Sequence, residues 1–152
     1  MTDGVYVSIK FPDSLTDIVK ETIDENAQDD WGVTQSNIRE LNYGWFYFDV
    51  HETAYELAEL GIPCTILWER VNEYEQINYI HVRFTEDEAK ITDVYAEDFY
   101  VPLSDLKSKL EHCSHDEVTS WVDQMIQSTK EPSWDNQEEL GKQYAFIKSL
   151  EK

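Results

Sequence analysis

Alternating apolar and polar residues predict a strand at the start of the chain. Val5, Val7, Ile9 and Phe11 recur at every second position, and Pro12 ends the run. Apolar residues then recur three and four positions apart from Leu15 onward. Successive strand side chains point to opposite faces, whereas helix side chains return to one face about every 3.6 residues. We therefore expect a half-buried strand followed by an amphipathic helix over about residues 15–26.

The middle of the chain predicts strand, helix and strand. Residues 45–50 alternate with apolar side chains at both sets of positions, which is typical of a mostly buried strand. Thr53 and Glu56 form a capping-box pattern at the start of a helix that Gly61 and Pro63 would end. Alternation then resumes from residue 62 to residue 68. A polar connection through residues 29–37 is expected to lead into this unit.

Two more strands and a helical region complete the predicted order. Residues 79–84 alternate clearly, and residues 91–98 do so more weakly after an acidic turn. From Leu103 onward the apolar spacing becomes helical, and Ser114 with Glu117 gives a second capping box. The sequence predicts an α+β fold, a mainly antiparallel sheet of about five strands packed by helices on one face. We expect one domain over 1–152, with the sheet and two helices in 1–101 and the C-terminal helices in 102–152.

Acidity changes the picture more than any motif. The chain has 32 Asp and Glu against 12 Lys and Arg, a formal net charge of −20. Solubility of a small domain needs a magnitude of only about 2–8. The excess acidic side chains repel one another in the compact state, which suggests that the charge has a use, and its natural use is to attract a basic partner. The same negative charge disfavours direct binding to nucleic acid or to an anionic membrane. The alternative is that the acidity serves only solubility.

Two predicted helices carry carboxylates at regular spacing. On each helix three acidic residues stand at i, i+4 and i+7, which places successive carboxylates about 5–6 Å apart along the axis. That spacing is close to the spacing of phosphates along one nucleic-acid strand, although any solvated face in an acidic protein produces it often. A further acidic and aromatic group follows the later strands, a combination that suits Lys- and Arg-rich partners. The candidate partner-binding residues are Asp17, Glu21, Asp24, Glu25, Glu52, Glu56, Glu59, Glu73, Tyr74 and Glu75.

Catalytic and metal-binding signals are weak. The sequence has no glycine-rich phosphate loop, no G-x-S-x-G and no H-E-x-x-H. Residues 111–115, which include His112, Cys113 and His115, form the one metal-like group, but their spacing matches no familiar zinc pattern. We therefore predict no catalytic residue, no metal, no cofactor and no enzymatic activity.

Location is predicted from what the sequence lacks. The first residues show no basic region followed by a long apolar run, and no segment approaches 18 consecutive apolar residues. Two cysteines are too few for a disulfide framework. We expect a cytoplasmic protein without membrane association.

These patterns lead to one functional hypothesis and one alternative. In charge, size and aromatic content the chain resembles small acidic inhibitors such as DNA-mimic proteins, phage anti-defence proteins and immunity proteins of nuclease toxins, a resemblance of class that transfers no residue. It implies a non-enzymatic protein that occupies the basic nucleic-acid-binding surface of a nuclease, a restriction or CRISPR component or a toxin. The alternative is an accessory domain that acts through a hydrophobic interface, for example as a homodimer.

Overall fold

The computed structural model of the chain describes residues 5–23, 30–46, 49–70, 77–95 and 100–151. Within these residues the chain forms six strands and five α-helices, with one 3-10 turn before the first helix. In chain order they are β1 (Val5–Pro12), the 3-10 turn (Asp13–Leu15), α1 (Thr16–Ile23), β2 (Asp30–Gln35), β3 (Ile38–Phe46), α2 (Val50–Glu59), β4 (Cys64–Arg70), β5 (Ile77–Phe84), β6 (Ala89–Val94), α3 (Leu103–His112), α4 (His115–Thr129) and α5 (Gln137–Leu150).

The six strands form one sheet in the order β2-β3-β1-β4-β5-β6. Every neighbouring pair is antiparallel. The predicted α+β fold is confirmed, including its helical C-terminal part. The strand count is six because residues 30–35, which we expected to be a polar connection, form β2.

The hairpin between β2 and β3 explains why that strand was missed. Gln35 pairs with Ile38, so Ser36 and Asn37 alone make the turn, and both have positive φ (53° and 64°). Two left-handed residues match the twist of a tight hairpin, and asparagine tolerates this conformation better than most residues do. Asp30 and Gly32, which are common in loops, concealed the strand pattern.

The start of α2 also corrects the sequence prediction. Asp49 is the N-cap residue, and its carboxylate accepts hydrogen bonds from the backbone N–H of His51 at 3.0 Å and of Glu52 at 3.2 Å. Thr53, the predicted cap, lies buried inside the helix, where its hydroxyl donates to the Asp49 carbonyl. The helix therefore begins at Val50, a residue that the alternation had assigned to a strand. Aspartate and threonine are both good caps, so the capping pattern alone did not fix the first turn.

One face of the sheet holds the core. The register places Val7 beside Tyr43 and Ile9 beside Leu41 and Ile66, and all five of these residues are buried. Phe11 of β1 is buried as well. Helix residues from α1 and α2 join the same hydrophobic cluster, and Leu140 and Tyr144 of α5 pack against it. Helices α1, α2 and α5 therefore cover this face.

Two glycines set the distance between α5 and the end of α2. Gly61 follows α2 with φ +75°, and a Cβ atom on either Gly61 or Gly141 would overlap the carbonyl oxygen of the other. The two backbones are in direct contact, which requires a residue without a side chain at both positions.

Helices α3 and α4 contact each other but are otherwise lightly packed. The predicted capping box of α4 is confirmed, since Ser114 accepts from the Glu117 N–H at 3.2 Å and the Glu117 side chain accepts from the Ser114 N–H. No residue of either helix is buried. Their apolar stripes are therefore not part of the core.

Candidate functional site

Two neighbouring helices carry the predicted carboxylates that the structure describes. Asp17 and Glu21 lie on α1, and Glu52, Glu56 and Glu59 lie on α2; all five are exposed. We refer to these five residues as the α1–α2 acidic surface. Helices α1 and α2 contact each other, and both pack on the core face of the sheet. The two helices are held side by side by the burial of their apolar sides, which leaves the carboxylates toward solvent.

Among the described residues, the α1–α2 acidic surface forms no ion pair, and Lys20 of α1 is the one described lysine or arginine on its two helices. Elsewhere three lysines pair with carboxylates along their own helices: Lys107 with Glu111 on α3, and Lys142 with Glu138 and Lys148 with Glu151 at α5. The sequence between residues 40 and 69 contains no lysine or arginine. Two like charges three or four residues apart on a helix destabilise it by about 0.2–0.5 kcal/mol.

Charge is divided unequally along the chain. Residues 1–101 contain 22 acidic and six basic residues, a net charge of −16. Residues 102–152 contain ten acidic and six basic residues, a net charge of −4. The negative field therefore originates mainly from the sheet and its first two helices rather than evenly from the whole molecule.

Five of the predicted residues lie outside the described part of the chain. Asp24 and Glu25 directly follow the last described residue of α1, and Glu73, Tyr74 and Glu75 belong to the segment between β4 and β5. The remaining five residues lie on α1 and α2, which are in contact.

A histidine–aspartate pair that sequence reasoning missed lies at the start of α2. His51 Nε2 is 3.0 Å from Asp93 Oδ1 on β6, and the His51 ring meets the Trp68 ring edge-on at 6.2 Å between centroids. The pair joins residues 42 positions apart, so no local pattern reveals it. Both side chains are partly exposed, and no serine or cysteine hydroxyl or thiol is bonded to the pair among the described contacts. Its contribution is to tie α2 to β6.

The opposite face of the sheet holds a buried arginine. Arg83 donates from Nη1 to the Cys64 carbonyl at 2.6 Å, from Nη2 to Thr65 Oγ1 at 2.8 Å and from Nε to the Ser133 carbonyl at 3.2 Å. Its guanidinium carbon lies 3.6 Å from the centroid of the Trp134 ring. Burial lowers the pKa of Arg83 to about 10. The guanidinium remains charged at neutral pH, and it joins β4 and β5 to the segment before α5.

His81 belongs to the same buried group. Thr65 Oγ1 accepts from Arg83 Nη2 and is also hydrogen-bonded to His81 Nδ1 at 2.9 Å. Burial, with Arg83 and Lys10 nearby, lowers the pKa of His81 to about 4. His81 is therefore neutral at physiological pH, and its role is structural.

Two grooves lie beside Trp134. One has a volume of about 250 Å³ and the other about 730 Å³, and both are lined by Ser36, Ile38 and Trp134. Lys10, Glu40 and Glu131 supply charges of both signs to the smaller groove. The described lining residues of the two grooves include no histidine or cysteine, so they do not pair a nucleophile with an imidazole base.

No metal-ligand cluster and no helix suited to span a bilayer occur among the residues that the structure describes. Among those that the structure describes, no three His, Cys, Asp or Glu side chains converge as metal ligands would. His112, Cys113 and His115 lie at the junction of α3 and α4. In that part of the chain, none of the helices is both long enough and apolar enough to cross a bilayer.

Comparison of the chain with protein-family models, with curated proteins and with solved structures found no match.

Proposed function

We propose that this protein is a non-enzymatic binding protein that occupies the basic, nucleic-acid-binding surface of a partner protein. The observation that carries the proposal is the α1–α2 acidic surface, in which five exposed carboxylates lie on two packed helices whose only described lysine or arginine is Lys20 of α1. The carboxylates repel one another in the free protein. Binding of a cationic partner removes this repulsion and is therefore favourable.

The carboxylates attract a basic partner from a distance and discriminate against acidic proteins. A concentrated negative field accelerates the approach of a basic protein and disfavours acidic ones, by factors of about 10 to 1,000 at low salt. Durable affinity requires desolvated contacts in addition to charge. The described residues offer exposed Tyr55 on α2 beside the acidic surface. Tyrosine combines a large contact area with a polar tip, which suits Lys and Arg side chains.

The partner class follows from the sign of the charge. A nuclease, a restriction or CRISPR component or a nuclease toxin has the basic groove that this surface would fill, and the protein would act as an inhibitor or immunity protein. A cytoplasmic location belongs to the same proposal. The acidic surface itself repels free nucleic acid.

Immobilised protein tests this proposal. Host lysate would be applied at low salt and the captured proteins eluted on a salt gradient. We expect a captured protein to elute as salt rises, and the variant with Asp17→Lys, Glu21→Lys and Glu56→Lys to capture it with an association rate lower by about tenfold or more. A short DNA duplex or a single-stranded RNA should compete with the protein for the captured partner.

A matched variant controls for net charge. Asp105→Lys, Asp135→Lys and Glu139→Lys change the total charge equally, and these exposed residues lie on or beside α3 and α5. We expect this variant to capture the partner at nearly the wild-type rate. Binding that ignores salt, or that falls equally in both triple variants, would exclude the α1–α2 acidic surface as the docking site.

A further inference from the structure

We draw no further inference here: the strongest candidate, the groove of about 730 Å³ beside Trp134, is a cluster of carboxylates at the start of α5, and nothing in the part of the chain that the structure describes shows what ligand it would hold.

Discussion

The guanidinium carbon of Arg83 lies 3.6 Å from the centroid of the Trp134 ring, which fixes the segment before α5 against the polar face of the sheet. Arg83 also donates to the carbonyls of Pro132 and Ser133 in that segment. On the sheet side it donates to Cys64 and Thr65. A single side chain thus connects β4 and β5 to the polypeptide that leads into α5.

Replacement of Arg83 by methionine should therefore destabilise the protein strongly. The substitution removes hydrogen bonds made by a charged donor and leaves buried carbonyls unpaired, so we expect a loss of about 3 kcal/mol in the free energy of unfolding. Urea denaturation followed by circular dichroism measures it. Lys90→Met is the control, because Lys90 pairs with Arg83 across the sheet and is exposed. Equal losses in the free energy of unfolding for the two variants would show that the hydrogen bonds of Arg83 do not stabilise the fold.

His81 should make stability depend on pH. Its pKa is lowered from 6.5 to about 4 in the fold, so the unfolded chain binds the proton more readily. The contribution of neutral His81 to the free energy of unfolding is complete above pH 6.5 and is lost as pH falls through about 4. One pKa unit corresponds to about 1.4 kcal/mol, and we expect the loss in the free energy of unfolding to be on the order of 3 kcal/mol.

The His81→Asn variant isolates this effect. Asparagine keeps an acceptor for the Thr65 hydroxyl but does not titrate, so the difference in stability between wild type and variant should change between pH 7 and pH 4. Contributions from the many carboxylates are shared and cancel in the difference. An imidazole that titrates near 6.5 by NMR would refute the expectation.

Gly141→Ala should destabilise the protein although alanine favours helices. The propensity gain is about 1 kcal/mol, but the added methyl group would overlap the Gly61 carbonyl. Backbone cannot move aside as a flexible side chain can, so we expect a net loss of about 1–3 kcal/mol. Thermal unfolding measures the change. Gln143→Ala, at an exposed position on the same helix, should be neutral or slightly stabilising.

The two thiols should differ sharply in reactivity. Burial raises the pKa of Cys64 to about 12, and Cys113 is partly exposed. Since the thiolate is the reactive species, a disulfide reagent at neutral pH should modify one thiol per folded chain and two per unfolded chain. Cys113→Ser should remove the rapid reaction in the folded protein. Rapid modification of that variant would show that Cys64 is accessible.

The periodicity of the sequence was sufficient to predict the fold class but not every element. Strands such as β1 and β5 alternate clearly because one face is apolar and buried. Strand β2 was missed because Asp30 and Gly32 are typical of loops, and its pairing with β3 depends on the turn at Ser36 and Asn37. Hairpin pairing overrode the local propensity of this segment.

Long-range polar contacts explain most of what the sequence did not reveal about sites. Arg83 bonds Ser133 across 50 positions, and His51 meets Asp93 across 42. The partners in each pair are far apart in the sequence, so no motif of fixed spacing reveals either contact. The apolar stripe of α4 was predicted correctly, but the pattern shows only which side of a helix is apolar and not what covers it.

Strand β1 lies between β3 and β4, both of which follow it in the chain. During synthesis β1 therefore emerges from the ribosome before either of its neighbouring strands. About 50 further residues must be synthesised before β4 can pair with it. Both edges of β1 are open until β3 emerges, and one edge remains open until β4 follows. Sheet closure in this protein is consequently a late event in synthesis, and slow folding dominated by distant pairings should follow from the strand order.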